Sequence, residues 1–416
     1  MISKVHCRGT HRAITPRETM ARVRPMLSKF GITLIDEVTR WDRVGVPVVM
    51  IVRPEGRSLG AAQGKGLNLE AAVASGVMEA AEGWHAERDA LPVRVASVVE
   101  LFTRGNVIDV RRLPRRRDSR LRDGLSIPWV EGVDLLRDSE PIWVPYALVH
   151  TDYSAPPQAG AGCFCASSNG LAAGNTADEA LVHALAEVIE RDALAIWHAR
   201  GAAAKHETRV DSGTIDDPDC LDLLERFEAA DMAVGIWDAT SDVGVATMHA
   251  EIVERGERQP PFFPQAISGD GCHPSRNIAL TRALTEAAQS RLTTIIASRD
   301  DLDEHDYAID EARVERDRRR IEGSAEGGRD FRQTPHFDFP TFEEDIDLLL
   351  GGLRAAGIEQ VAAVDLSRPE FPQISVVRVV VPGLETVVDH PHRIPGPRAM
   401  RARPPLRVVP IAEAML

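Results

Sequence analysis

Residues 167–191 read SSNGLAAGNTADEALVHALAEVIER, a glycine-rich segment that feeds an alanine- and leucine-rich helix. Leu181, Leu185 and Ile189 return every four residues and bury one face. Glu179, Glu187, Glu190 and Arg191 gather on another face, with steps of eight and three between the glutamates, and His183 falls on the same stripe. Carboxylates grouped on an apolar helix repel one another, and a bound cation resolves that repulsion.

Two further segments repeat the arrangement. AAVASGVMEAAEGWHAE puts Ser75, Glu79 and Glu82 at helical steps, and NIALTRALTEAAQSRL does the same for Arg282, Glu286 and Gln289. Three apolar helices thus present carboxylates and arginines from similar backgrounds. Glutamates three apart on each of two helices suit a hard divalent cation, and Mg²⁺ completes its shell with water and substrate phosphates. Arg191, Arg282 and Lys65 add positive charge for phosphate oxygens. Taken singly, each glutamate pair also reads as a solvated helix face, and Glu179 as the partner of Thr176 in a capping box. It is their joint occurrence that favours the cation site.

The chain has 416 residues, with 49 Lys and Arg against 63 Asp and Glu, a net charge of −14. That balance argues against nucleic acid or an anionic membrane as a general partner and for a soluble monomer or small oligomer such as a homodimer. The first residues, MISKVHCRGTHRA, lack the apolar core of a secretion signal, and the apolar runs are strand-sized, so a cytoplasmic location is expected. Five scattered cysteines fit a reducing compartment, and Cys163 and Cys165 are too close for a zinc knuckle and read as core.

Periodicity gives an α/β (α+β) chain of mixed sheets packed with helices. It predicts a helix over 16–30 capped by Thr15, strands at 32–38, 46–52, 233–237, 243–252, 361–365 and 374–381, and helices at 221–229 and 343–357. Three regions follow: an α/β segment at 1–63 integrated with the core, a main domain at 64–383 whose bounds and ATP binding are what the resemblance named below implies, and a proline-rich tail at 384–416 that breaks regular structure and wraps the surface. GAAQGKGL is no P-loop, since its glycine spacing is wrong and no Ser or Thr follows Lys65. NGLAAGN is a better anion loop, lying just before a helix N-terminus. Seven arginines between Arg111 and Arg122 read as a solvated surface loop, and the charged stretch 300–331 as a peripheral helix and loop.

The three acidic segments, with GKGLNLEAAVASGVMEAAE leading the first, resemble the YcaO superfamily of ATP-dependent peptide-backbone-modifying enzymes from about Gly64 to Gly383. The opening GTHRAITPRET resembles the members associated with TfuA-like partner proteins. The resemblance implies a YcaO-like fold with an ATP site between the acidic helices, where Glu79, Glu82, Glu187, Glu190 and Glu286 hold Mg²⁺. Arg191 and Arg282 match phosphate-facing arginines, and with Glu286 they form the expected catalytic set. Lys65, Ser75, Asn175 and Glu179 match other nucleotide contacts, and Arg12 and Thr19 match N-terminal ones. Ala172 stands where some relatives carry a polar residue, and Gly83 where arginine is frequent.

The substrate implied is a peptide or protein whose backbone amide is activated by ATP. The ending RPPLRVVPIAEAML lacks the PxPxP of many azoline-forming relatives, which favours thioamide formation with a TfuA-like partner over azoline-forming cyclodehydration. A third reading is a non-catalytic accessory factor for ribosomal-protein methylthiolation.

Overall fold

Each of the three acidic segments forms a helix that follows directly on a strand and lies back against it. The computed structural model describes residues 2–157, 160–256, 263, 265–296, 310–323, 325–388 and 390–404. Among these, α1 (Pro16–Val23) precedes β1 (Leu34–Glu37), β2 (Val48–Val52), β3 (Ala61–Lys65) and α2 (Leu69–Glu87). Next come β4 (Arg94–Ala96), α3 (Val98–Phe102), β5 (Ile127–Asp134), β6 (Glu140–Pro145), β7 (Leu171–Gly174), α4 (Ala177–Arg200) and α5 (Ala202–Glu207). The third stretch holds β8 (Val210–Asp211), α6 (Pro218–Ala229), β9 (Met232–Asp238), β10 (Thr247–Glu254), β11 (Ile267–Cys272) and α7 (Arg276–Ile295). The chain then runs through α8 (Glu311–Glu322), β12 (Arg329–Asp330), α9 (Phe342–Ala355), β13 (Ala362–Asp365), β14 (Ser375–Val380) and α10 (Pro397–Ala402).

The sheets are β1-β2-β3, β11-β10-β9 and the six-stranded β4-β5-β13-β14-β7 with β6 beside β5. Every named strand pair in them is antiparallel, and the parallel pair is the two-residue contact of β12 with β8. Helices α2, α4 and α7 each pack on a different sheet, α2 on β2 and β3, α4 on β7 and β14, and α7 on β10 and β11.

What seats these helices is the absence of a side chain beneath them. A Cβ on Gly64 of β3 would fall 1.9 Å from the carbonyl oxygen of Ala72, and one on Gly269 of β11 would fall 2.1 Å from the amide nitrogen of Ala287. At the start of α4, a Cβ on Gly174 would be 2.5 Å from the nitrogen of Ala180. Glycine is required at such contacts because only hydrogen allows backbone to meet backbone. Asn68 and Thr176 cap α2 and α4 by accepting from Ala71 and Glu179 amides.

Several boundaries move relative to the sequence expectation. The helix expected to reach Phe30 ends at Val23, with a single 3₁₀ turn across Pro25, because proline cannot continue the ladder. NGLAAGN is not an anion loop: Leu171–Gly174 is a strand paired with β14, and the amides of Gly170 and Ala173 donate to Glu187 and Glu82. Proline also helps to start α10 in the tail expected to be irregular. There Arg398 makes a buried, bidentate pair with Asp192 of α4. Residues 300–309, 324 and 405–416 lie outside the described residues.

Cys163 and Cys165 are free and buried, as core residues. Within the arginine cluster Arg116 pairs with the exposed Asp118, an ordinary surface contact. No helix among the described residues is long and apolar enough to cross a membrane.

Candidate active site

Between α2, α4 and α7 the predicted carboxylates form a chain. Glu82 faces Glu187 and Glu79, Glu79 also faces Glu187 and Glu286, and Glu190 faces Glu286 and Asp270. Glu190 is fully buried, while Glu82, Glu187 and Glu286 are half-buried. Glu79 is exposed to solvent on one side, yet the protein packed around it replaces much of its hydration. That poor solvation, reinforced by Glu187 and Glu286, raises its pKa to about 7, against the pull of Lys65 and the Gln63 backbone. Burial followed by repulsion from Glu187 and Glu79 pushes Glu82 well above the ordinary range. Burial raises Glu187 and Glu190 as well, opposed in each by Arg191.

Glu286 is the exception. Burial opposes its charge, but Lys65 Nζ lies 2.5 Å from Oε2 and, with Arg191, holds the carboxyl below its ordinary value. The same ammonium donates to Gln289 Oε1 at 3.1 Å, so two of the three members of the α7 series, Glu286 and Gln289, meet at Lys65. Arg191 lies 3.6 Å from Glu190, and although burial works against its charge, Glu190 and Glu187 outweigh it. Arg282 also lies close to Glu187, Glu190 and Glu286 and favours their charged forms.

Glu179 belongs to a different group. Its Oε2 accepts from the Ala13 amide at 2.9 Å, and its Oε1 accepts from Asn175 Nδ2 at 3.1 Å. Arg12 Nε stands 3.7 Å from Oε1, and Thr19 Oγ1 donates to Asn175 Oδ1 at 3.1 Å. This polar knot ties the N-terminal segment to α4. The Glu179 amide donates to Thr176 while its carboxylate turns to Ala13, so the reciprocal half of the capping box is not made. His183 faces Arg12, Arg282, His273 and His11 and is kept neutral by burial first and the neighbouring Arg12 and Arg282 second. Ser75 lies half-buried one turn before Glu79 on α2.

Two site residues were not found from the sequence. Arg378, buried on β14, faces Glu187 and Glu82, donates to the Ser167 carbonyl at 2.5 Å, and leaves Nε and Nη1 without hydrogen-bond partners. A lone arginine in SVVRVV, otherwise a buried apolar strand, was the available signal. Asp270 on β11 joins the carboxylate chain at Glu190 and accepts from His249 Nδ1 at 2.7 Å. Its flanking glycines in SGDGC hide it from any helical pattern.

Glu190 Oε2 and Arg282 Nε are both buried without a hydrogen-bond partner, an anionic and a cationic orphan in one cleft. Oxygen donors repelling one another beside unsatisfied cations fit Mg²⁺ together with phosphate oxygens. The model of the family described as YcaO cyclodehydratase, ATP- and Mg²⁺-binding, matches residues 63–385. The chain belongs to the YcaO family. Its nucleotide and metal are those of the family, ATP and Mg²⁺.

An uncharacterized protein in the tfuA 3′ region of Rhizobium leguminosarum bv. trifolii is 36% identical over 396 residues, 94% of this chain and 92% of its own length. An uncharacterized protein of Methanothermobacter thermautotrophicus is 34% identical over 390 residues, 92% of this chain and 97% of its own. The fold matches YcaO from Methanopyrus kandleri, solved with AMPPCP and Mg²⁺, at TM-score 0.72 and 23% identity, covering 94% of this chain and 98% of that one. A heterocyclase solved with substrate and cofactor matches at TM-score 0.73 and 21% identity over 92% of this chain, which spans 55% of that longer protein.

Proposed function

We propose that this YcaO protein uses ATP to activate a peptide backbone amide and converts it to a thioamide with sulfide supplied by a partner. One observation carries the activation step: five glutamates from three helices, four of them raised in pKa first by burial and the fifth, Glu286, held charged by Lys65, lie beside Arg191, Arg282 and Lys65. Glu79, Glu82, Glu187, Glu190 and Glu286 would hold Mg²⁺. When bound, the ion offsets triphosphate charge in the phosphoryl-transfer transition state.

The chain's own residues position and neutralise. Arg191 and Arg282, both beside Glu190 and Glu286, would face the phosphates, and Lys65 fixes Glu286 in its charged form. Asn175, Glu179, Thr19 and Arg12 brace the N-terminal segment over the same cleft, with Ser75 beside it as a further nucleotide contact. In the reaction sulfide adds to the peptide carbonyl carbon, and the resulting oxygen attacks the γ-phosphorus as ADP leaves. The carbon–oxygen bond then breaks with departure of phosphate, the sulfur loses its proton, and the carbon–sulfur double bond forms. Amide, hydrogen sulfide and ATP thus give thioamide, ADP and phosphate, with no covalent bond to the protein.

The tfuA-region relative supports sulfide as nucleophile and a TfuA-like protein as partner. The cyclodehydratase description of the family supports the second reading, in which a Cys, Ser or Thr of the peptide attacks and yields an azoline. A translated random peptide library incubated with protein, Mg·ATP, sulfide and a TfuA-like protein separates them. Oxygen-to-sulfur exchange in the peptide mass, with ADP formed in step, is expected; loss of water instead establishes cyclodehydration. ATP bound but never hydrolysed under any combination refutes both and leaves the accessory role.

A further inference from the structure

Arg378 is a buried charge without a counter-ion. It is 2% exposed, its Nη2 donates to the Ser167 carbonyl, and its Nε and Nη1 have no hydrogen-bond partner. Glu82 and Glu187 favour its charge from a distance, but burial outweighs them, and among the described residues it forms no ion pair. Water can satisfy the donors of such a guanidinium but cannot supply the opposite charge, and a buried charge left unpaired is costly.

A cavity of about 40 Å³ opens against this side chain, between β14, residues 165–169, Val188 of α4 and residues 384–386. Leu148, Val188 and Leu384 line it with apolar groups, and Ser167, Asn169 and Thr386 with small polar ones. Asn169 Oδ1 is a further buried atom without a partner, and a half-turn of that amide brings its Nδ2 to the same point. Glu385 also reaches the cavity, but its carboxylate is taken by Arg393 and by the Gly396 and Ala399 amides. A water occupies about 10–15 Å³ of such space, so there is room for roughly three waters or for one ion of chloride or hydrosulfide size, and a tetrahedral phosphate is too large. One arginine also balances one negative charge, not two.

We infer that this cavity is a subsite for a small, weakly hydrated monoanion, and that in the thioamide reaction it holds the hydrosulfide ion. The identity of the ion rests on the thioamide reading above; the anion site itself does not. Arg378 joins the two places, since it lines the cavity and faces Glu82 and Glu187 of the carboxylate chain. Sulfide held there in its ionised form needs no base to become a nucleophile.

The test uses the full chain with chloride as probe, read by ³⁵Cl NMR line broadening, and then adds sodium hydrosulfide or sodium phosphate as competitor at a pH where sulfide is ionised. Arg378→Met removes the cation. Ser167→Leu fills the cavity from its rim, keeps the backbone carbonyl and touches no residue assigned to nucleotide or metal, so unchanged AMPPCP affinity in that variant reports an intact fold and cleft. Wild type should broaden the chloride line more than either variant, and hydrosulfide should remove that excess while phosphate at equal concentration leaves it. In the peptide assay Ser167→Leu should raise the KM for sulfide at least about tenfold, the worth of one charge-assisted hydrogen bond, with the KM for ATP unchanged. Equal broadening by wild type and both variants overturns the anion site, and so does displacement by phosphate as effective as that by hydrosulfide. Excess broadening that hydrosulfide leaves in place overturns the sulfide assignment. Displacement by hydrosulfide with no sulfur gained by any peptide strikes the thioamide reading instead and leaves the monoanion site standing.

Discussion

Nucleotide binding should release protons, and the amount can be worked from Glu79. A carboxyl with a pKa of about 7 is half protonated at pH 7, so bringing Mg²⁺ against it displaces about half a proton. Glu82 and Glu187, raised by burial, add to that figure. Calorimetric titration of Mg·AMPPCP at pH 7 in phosphate and in Tris gives the number directly, because the two buffers differ in ionisation enthalpy. Wild type should release at least about half a proton, and Glu79→Gln about half a proton less, since the amide has none to lose. The sign for stability follows from the same values. The folded pKa lies above the ordinary 4.5, so the metal-free protein is most stable below about 4.5 with respect to this group and loses that stability as pH rises through about 7. Thermal melts from pH 5 to 8 should therefore slope downward without Mg²⁺ and flatten with Mg·AMPPCP. Zero release, or an identical release from Glu79→Gln, would refute the claim that these carboxylates meet the cation.

Lys65→Met removes the ammonium 2.5 Å from Glu286 and should weaken AMPPCP binding by about 1.5–3 kcal/mol, the usual worth of a charge-assisted hydrogen bond, as read by calorimetry. Arg53→Ala removes one of two guanidinium partners of the buried Glu87, which keeps Arg88 at 3.0 Å and Ser58, and urea denaturation should show a loss of about 1.5–3 kcal/mol with the nucleotide cleft untouched. Gly174→Ala should cost more than 1 kcal/mol by the same assay, because its Cβ would stand 2.5 Å from the Ala180 nitrogen, whereas Gly105→Ala, with open space around it, should be near neutral.

What the sequence revealed was what a helix displays. Glu187 and Glu190, or Glu79 and Glu82, stand out because polar residues at steps of three on an apolar helix have no place in a closed core. Strand positions carried no such contrast: Arg378 sits among valines and Asp270 between glycines, and the partners that give them meaning come from α2 and α4, far away in the chain. Glu179 shows a third case. Its stripe position was right, but Ala13, contributed by a segment 166 residues earlier, decided where its carboxylate points. The tail failed for a related reason, since Arg398 finds Asp192 only in the folded molecule.

The glycines beneath the acidic helices bear on which ion the cleft selects. Side chains can re-pack and let a helix slide, but backbone resting on backbone at Gly64 and Gly269 cannot, so Glu79 and Glu82 are held at main-chain thickness from β3 and Glu286 from β11. Ca²⁺ tolerates a loose, expandable ring of oxygens, while Mg²⁺ demands a small octahedron of near-constant size. If these glutamates hold the ion, helices seated this closely on their strands should disfavour the larger ion by geometry, before any difference in charge or hydration is considered.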